Sequence, residues 1–98
     1  MVERDFQALL IRELKVMFEG CVVLKNDSSY LQGVPDLLVL YKNHWAMLEV
    51  KDAYTARRRP NQAYYIDLFD EMSFAAFICP ENKEEILNDL QQSFGIRR

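Results

Sequence analysis

At 98 residues the chain is one domain that buries roughly 60 to 65% of its extended surface, and with half its residues apolar, 28% charged, three Gly and three Pro it is neither a disordered tail nor a low-complexity linker. No run approaches the roughly eighteen apolar residues of a membrane span, and Met1-Val2-Glu3-Arg4-Asp5 is too charged for a secretory signal, so no membrane partner and a cytoplasmic location are expected. A net charge of −3 argues against a generic nucleic-acid binder, although the acidity is concentrated beyond residue 66, where seven acidic residues face three basic ones.

Residues 2–18 carry Glu3, Phe6, Leu10, Leu14 and Met17 at spacings of three and four, which predicts an amphipathic helix ended by Gly20. Residues 21–24 read as a short strand, and 26–33 as a polar loop rich in Asn, Asp, Ser and Gly. The apolar, β-branched and aromatic runs 37–41 and 45–50 flank a polar break, Lys42-Asn43-His44, and predict a β-hairpin. Residues 51–59 form a basic connection. Pro60 suits the first turn of a second helix running to about residue 71, with Gln62, Ile66, Phe69 and Met72 as its inner stripe. Residues 74–78 make a fourth strand. Pro80 opens a third helix with Glu81, Glu84 and Glu85 in its first turns and Ile86, Leu87, Leu90 and Phe94 on its apolar face. The order α-β-β-β-α-β-α, with a crossover helix before the last strand, predicts an α/β fold: a small mixed sheet flanked by helices. Cys21 and Cys79 fit buried, reduced thiols.

The chemistry concentrates in Gly33-Val34-Pro35-Asp36 and, thirteen residues after Asp36, Glu49-Val50-Lys51. If Lys42 and Asn43 form a two-residue loop, Tyr41 pairs with His44 and Asp36 falls opposite Glu49 on one face, with Lys51 joining that face by the period of two. A three-residue loop would leave the carboxylates diagonal or on opposite faces. Two carboxylates and a backbone carbonyl suffice for Mg²⁺, so Asp36, Glu49 and the Val50 carbonyl form a candidate metal site. Lys51 could orient or deprotonate a bound water or stabilise the charge of a phosphoryl transition state. Taken singly, Asp36 is also an ordinary turn residue, and Glu49 and Lys51 ordinary strand-end charges.

Glu3, on the inner stripe of the first helix, needs a cation or a metal-bound water, or is a solvated acid; Glu13 is a second candidate for that role. Gln62, at the inward start of its helix, could bridge the lysine and substrate. Arg57, Arg59 and the intervening Arg58 suit contacts to phosphates without reading sequence, or form a solvated loop. No second His or Cys stands at zinc spacing, and His44 reads as a turn residue.

Together Pro35-Asp36, Glu49-Val50-Lys51, the leading helix with Glu3, the strand ending near Lys25 and the helix opening on Gln62 resemble the PD-(D/E)XK nuclease superfamily, and most of all its stand-alone VRR-NUC nucleases of phages and related elements. The resemblance spans residues 1–98 as a single domain. It implies a restriction-endonuclease-like core, Mg²⁺ or Mn²⁺ dependence, and DNA cleavage leaving 5′-phosphate ends, with Asp36, Glu49, Lys51, Glu3 and Gln62 as the catalytic set. Archaeal-type Holliday-junction resolvases are also similar, through Lys25, the Ser28-Ser29 loop and the same carboxylates, which implies DNA contacts from Lys25 and Ser28. The RecB-like branch carries a tyrosine four positions after its glutamine; this chain has Ile66 there. Size and resemblance together imply a homodimer on DNA, with Ile11, Phe18 and Phe94 as interface candidates. A reading from another class is a non-catalytic DNA-binding module with a degenerate site.

Overall fold

The two-residue turn Lys42-Asn43 sets the register of the sheet. Lys42 adopts a left-handed backbone with φ 55, and the chain reverses between β2 (Leu37–Tyr41) and β3 (His44–Val50) so that Tyr41 pairs with His44 and Leu37 with Leu48. The computed structural model describes residues 1–95. On the outer side of β2, β1 (Val22–Lys25) pairs antiparallel, Lys25 opposite Leu37. After β3 the chain crosses over through α2 (Pro60–Met72) and returns as β4 (Ala75–Ile78), parallel to β3. The sheet is therefore mixed, in the order β1-β2-β3-β4, and α1 (Glu3–Met17) and α3 (Lys83–Ser93) complete the expected order α-β-β-β-α-β-α.

Alternation along the strands divides the side chains between two layers. Leu37, Val39, Ala46, Leu48, Val50 and Ile78 form one face and pack with Phe6, Leu10 and Leu14 of α1 and Leu87 and Leu90 of α3, all buried. Truncating Leu10 or Leu14 to Ala, both fully buried, would cost about 2–5 kcal/mol. The opposite face carries Trp45, Met47 and Glu49 of β3, covered by α2, where Phe69 meets Trp45 edge to face at 6.2 Å. The acid at position 49 thus lies on the α2 side of the sheet, away from the main core.

The first helix ends one residue early, and Phe18, at its C-cap, completes the buried stripe in place of Met17. Phe18 packs 5.4 Å from the Tyr41 ring and 5.2 Å from Phe94. These two phenylalanines, expected on a dimer surface, are core residues at 0% and 4% exposure, and Ile11 is partly buried against the core; sheet and helices together have room for all three. Met72 leaves the inner stripe of α2 at 62% exposure, because the helix stops there and Ser73 turns back to donate its hydroxyl to the Trp45 carbonyl. The third helix starts at Lys83 and not at Pro80. Asn82 takes the Cys79 amide on Oδ1 at 2.8 Å and donates to the Phe77 carbonyl at 3.2 Å, so residues 79–82 form a turn before the helix. Glu81 in that turn accepts the Tyr54 amide. Cys21 and Cys79 are free thiols, Cys79 buried and Cys21 partly so. Among the described residues no helix is long and apolar enough to cross a membrane.

Candidate active site

Leu37 faces Leu48, so one further step of the same ladder sets Asp36 against Glu49. Toward β3, Asp36 is held through its side chain, whose Oδ2 accepts the Val50 amide at 2.9 Å. Its backbone carbonyl accepts the Asn26 amide at 2.8 Å, and the Asn26 side chain donates to the Pro35 carbonyl at 2.9 Å. Asn26 therefore grips both peptide carbonyls flanking the Asp36 α-carbon. Sequence reasoning misses it, because it reads as one polar loop residue among several; the signal is the β1–β2 register, which makes it the residue across from Asp36 once Lys25 pairs with Leu37.

Glu49 is 3% exposed. Its Oε2 accepts Gln62 Nε2 at 2.9 Å and stands 3.7 Å from Lys51 Nζ. Its Oε1 is buried with no hydrogen-bond partner. Lys51 Nζ donates to Gln62 Oε1 at 2.9 Å, and the same oxygen accepts the Arg59 amide at 3.1 Å. One amide side chain at the start of α2 thus joins the acid, the lysine and the basic loop. Gln62 bridges Lys51 to Glu49.

The electrostatics follow from burial. Desolvation, and then the negative charge of Asp36, push the Glu49 carboxyl up to about 7, with Lys51 opposing. Desolvation raises Asp36 as well, against the Val50 amide and Lys51. Glu3, exposed in the first turn of α1, is raised by partial desolvation and then by the charge of Asp36, so the helix-one acid lies within electrostatic reach of the site. Glu13 does not: it pairs with Lys83 at 2.8 Å in a groove of about 590 Å³ between α1 and α3.

The carboxylates form the floor of a cleft of about 560 Å³. One wall comes from Ser28, Gln32 and Gly33, the other from Arg57, Arg59 and the first turn of α2. The walls meet where Gly33, at φ +91, approaches Asn61 so closely that a Cβ would sit 2.4 Å from the Asn61 Cβ; only glycine fits. Arg58 is turned away from the cleft, with its guanidinium 4.2 Å over the Phe77 ring and 5.7 Å from Tyr54. It anchors the loop that presents its two neighbours. Lys25 is exposed at the end of β1 and does not line the cleft, whereas Ser28 does. His44 stacks on Phe94 at 5.4 Å, a packing role.

Among the described residues no group of three or more His, Cys, Asp or Glu side chains is gathered as a metal cage. The site offers two carboxylates, one of them with an orphaned buried oxygen, which suits a hard ion that keeps several waters better than zinc. A scan against protein-family models finds no family that matches this chain, and a search of curated proteins finds no match to it.

Proposed function

We propose that the chain is a divalent-metal-dependent endonuclease that hydrolyses DNA phosphodiester bonds. The observation that carries this reading is the Glu49 carboxylate, buried beside Asp36, with one oxygen held by Gln62 and the other without a partner. A buried acid next to a second acid is costly unless a proton or a cation compensates it. Asp36, Glu49 and the Val50 carbonyl are the groups that would hold Mg²⁺ or Mn²⁺. When bound, such an ion lowers the pKa of a coordinated water and offsets charge on the phosphate.

The chain's own residues account for the remaining needs of the reaction. Lys51, kept 3.7 Å from Glu49 by Gln62, can orient the attacking water by donating to it or offset charge on the phosphate. Arg57 and Arg59 on the cleft wall supply contacts to backbone phosphates, which position a strand without reading its sequence. Glu3, coupled electrostatically to Asp36, adds a third acidic group that favours occupation by a cation. A plasmid-nicking assay with Mg²⁺, with Mn²⁺ and with EDTA tests this reading. Nicking that depends on either ion and is lost in Glu49→Gln is expected; no nicking with either ion would overturn it. A four-way junction offered beside the plasmid separates general endonuclease activity from junction resolution.

The proposal includes a homodimer, since a single small domain has little surface with which to hold nucleic acid. With Phe18 and Phe94 in the core, one candidate apolar surface is the outer sheet face at Val22, Leu24 and Leu40, exposed by 50%, 46% and 38%. Sedimentation at micromolar concentration checks this. A fully active species near 11.6 kDa would rule the dimer out.

A further inference from the structure

The five tyrosines divide four to one. Tyr41 packs on Phe18, Tyr54 lies under Arg58, and Tyr64 and Tyr65 meet edge to face. Among the described residues no ring and no cation lies against Tyr30, which is 90% exposed. An aromatic ring left in water on a small domain forgoes the burial that normally accounts for its presence. It is not at the end of a loose loop. Asp27 Oδ1 accepts from the Ser29 amide at 2.9 Å and the Ser29 hydroxyl at 2.6 Å, while the amides of Tyr30 and Leu31 donate to the Asp27 carbonyl at 3.2 and 3.4 Å. This hydrogen-bonded turn presents the ring at low entropic cost. Ser28 and Gln32, two residues before and two after Tyr30, both line the cleft that holds Asp36 and Glu49.

We propose that Tyr30 is a stacking platform for an unpaired base, and that the strand entering the cleft is single-stranded where it passes the loop 28–32. The inference rests on the proposed reading of the cleft as a phosphodiester site and names its substrate class. Two observations favour an unpaired strand over a duplex. Glu49 is almost fully buried at the cleft floor, so a phosphate approaching it enters a recess, which a flexible single strand does more readily than a stiff duplex. The loop that supplies Ser28 and Gln32 to one wall carries an unpartnered ring, and the opposite wall carries Arg57 and Arg59, the combination of stacking surface and cationic groove that binds single strands with little sequence preference. A paired base has both faces occupied by its neighbours and cannot take up the ring.

Fluorescence anisotropy in EDTA, with a labelled single-stranded oligonucleotide of about 12 nucleotides and the corresponding duplex, separates binding from cleavage. Tyr30→Ala is expected to weaken single-strand binding by about 5- to 150-fold and to leave duplex binding unchanged. Tyr30→Phe should restore the affinity, because the ring face and not the hydroxyl makes the contact. Tyr64→Ala, exposed on α2 with its ring already against Tyr65, should have no effect. Unchanged single-strand affinity in Tyr30→Ala, or an equal loss on the duplex, overturns the proposal. Metal-dependent nicking measured in parallel keeps the two readings apart. Nicking with no role for Tyr30 sinks the stacking platform only, whereas Tyr30-dependent binding without cleavage sinks the hydrolytic reading only.

Discussion

Gln62 donates to Glu49 Oε2 at 2.9 Å while its own Oε1 accepts from Lys51 Nζ at 2.9 Å, so one amide stands between an acid and an ammonium that would otherwise close on each other. The two charges are held 3.7 Å apart, longer than a charge-assisted hydrogen bond, and Glu49 Oε1 is left free.

Replacing Gln62 with Leu removes that spacer. Lys51 is then expected to pair directly with Glu49 and compete with a cation for it. The expected loss in activity is about 10- to 100-fold, the range found when groups that orient metal ligands are removed. Oligonucleotide binding in EDTA should be retained, since Arg57 and Arg59 are untouched. Steady-state cleavage rates across a Mg²⁺ titration check this, and an unaltered ion requirement would show that the bridge is structural only.

Glu49→Gln tests both the chemistry and the cost of the buried acid. Cleavage should be lost, because the substitution removes a formal charge from the site without changing its volume. Stability in the absence of divalent ions should rise. The folded carboxyl titrates at about 7 against an ordinary 4.5, so below 4.5 both states hold the proton and the group contributes nothing. Between those values the unfolded chain has lost its proton and the folded chain retains it. Stability therefore falls as pH rises through that window, by up to about 3 kcal/mol from this group, and levels off above 7. Asp36 is shifted in the same direction and adds to the slope. Chemical denaturation at a series of pH values in EDTA should show a decline in the parent that is much shallower in Glu49→Gln, and Mg²⁺ should recover most of the difference above pH 7.

Much of this site is legible in the sequence because a β-ladder converts spacing into geometry. Once Lys42 and Asn43 are taken as a two-residue loop, the pairing of Tyr41 with His44 carries the register back to Asp36 and Glu49, and the order of elements follows from the periodicities on either side. What is not legible depends on side-chain direction away from regular structure. Arg57, Arg58 and Arg59 are indistinguishable by composition, yet Phe77 and Tyr54 draw the middle one out of the cleft. Helical spacing places Gln62 on the inward face but does not say that its amide turns to Glu49. Phe18 looks superfluous because stripe counting undervalues cap residues, which can fold back into the core as it does, and Phe94, already on the apolar face of the third helix, closes over it.

The arginines should therefore behave differently. Arg57→Ala and Arg59→Ala are each expected to weaken DNA binding across all sequences and to reduce the dependence of log affinity on log salt by about one unit for each phosphate no longer neutralised. Arg58→Ala should leave the salt slope alone and instead lose the cation–π packing on Phe77, about 0.5–1 kcal/mol of stability at an exposed position. Anisotropy titrations at several salt concentrations, with thermal melts of each variant, distinguish the roles. A flattened slope in Arg58→Ala would return it to the binding surface.

Asn26 is expected to act through Asp36. Its amide and side chain fix the Asp36 and Pro35 carbonyls at 2.8 and 2.9 Å, so the position of the acid relative to Glu49 depends on a residue that does not line the cleft. Asn26→Asp is nearly isosteric but replaces the donor with an oxygen facing the Pro35 carbonyl. It should cost about 1–3 kcal/mol and allow Pro35-Asp36 to move away from the strand. A displacement of about 1 Å at a reacting group can lower the rate about a hundredfold, so kcat should fall steeply while KM changes little. Asn26→Ala keeps the backbone amide but leaves the Pro35 carbonyl without its partner, and should fall between the parent and Asn26→Asp in stability, ion affinity and rate. The discriminating measurement is divalent-ion affinity by calorimetry alongside kcat. Weakened ion binding that parallels the loss of rate marks Asn26 as the residue that positions the acid. Loss of stability with ion affinity and kcat intact would reduce the clamp to a structural link between loop and sheet.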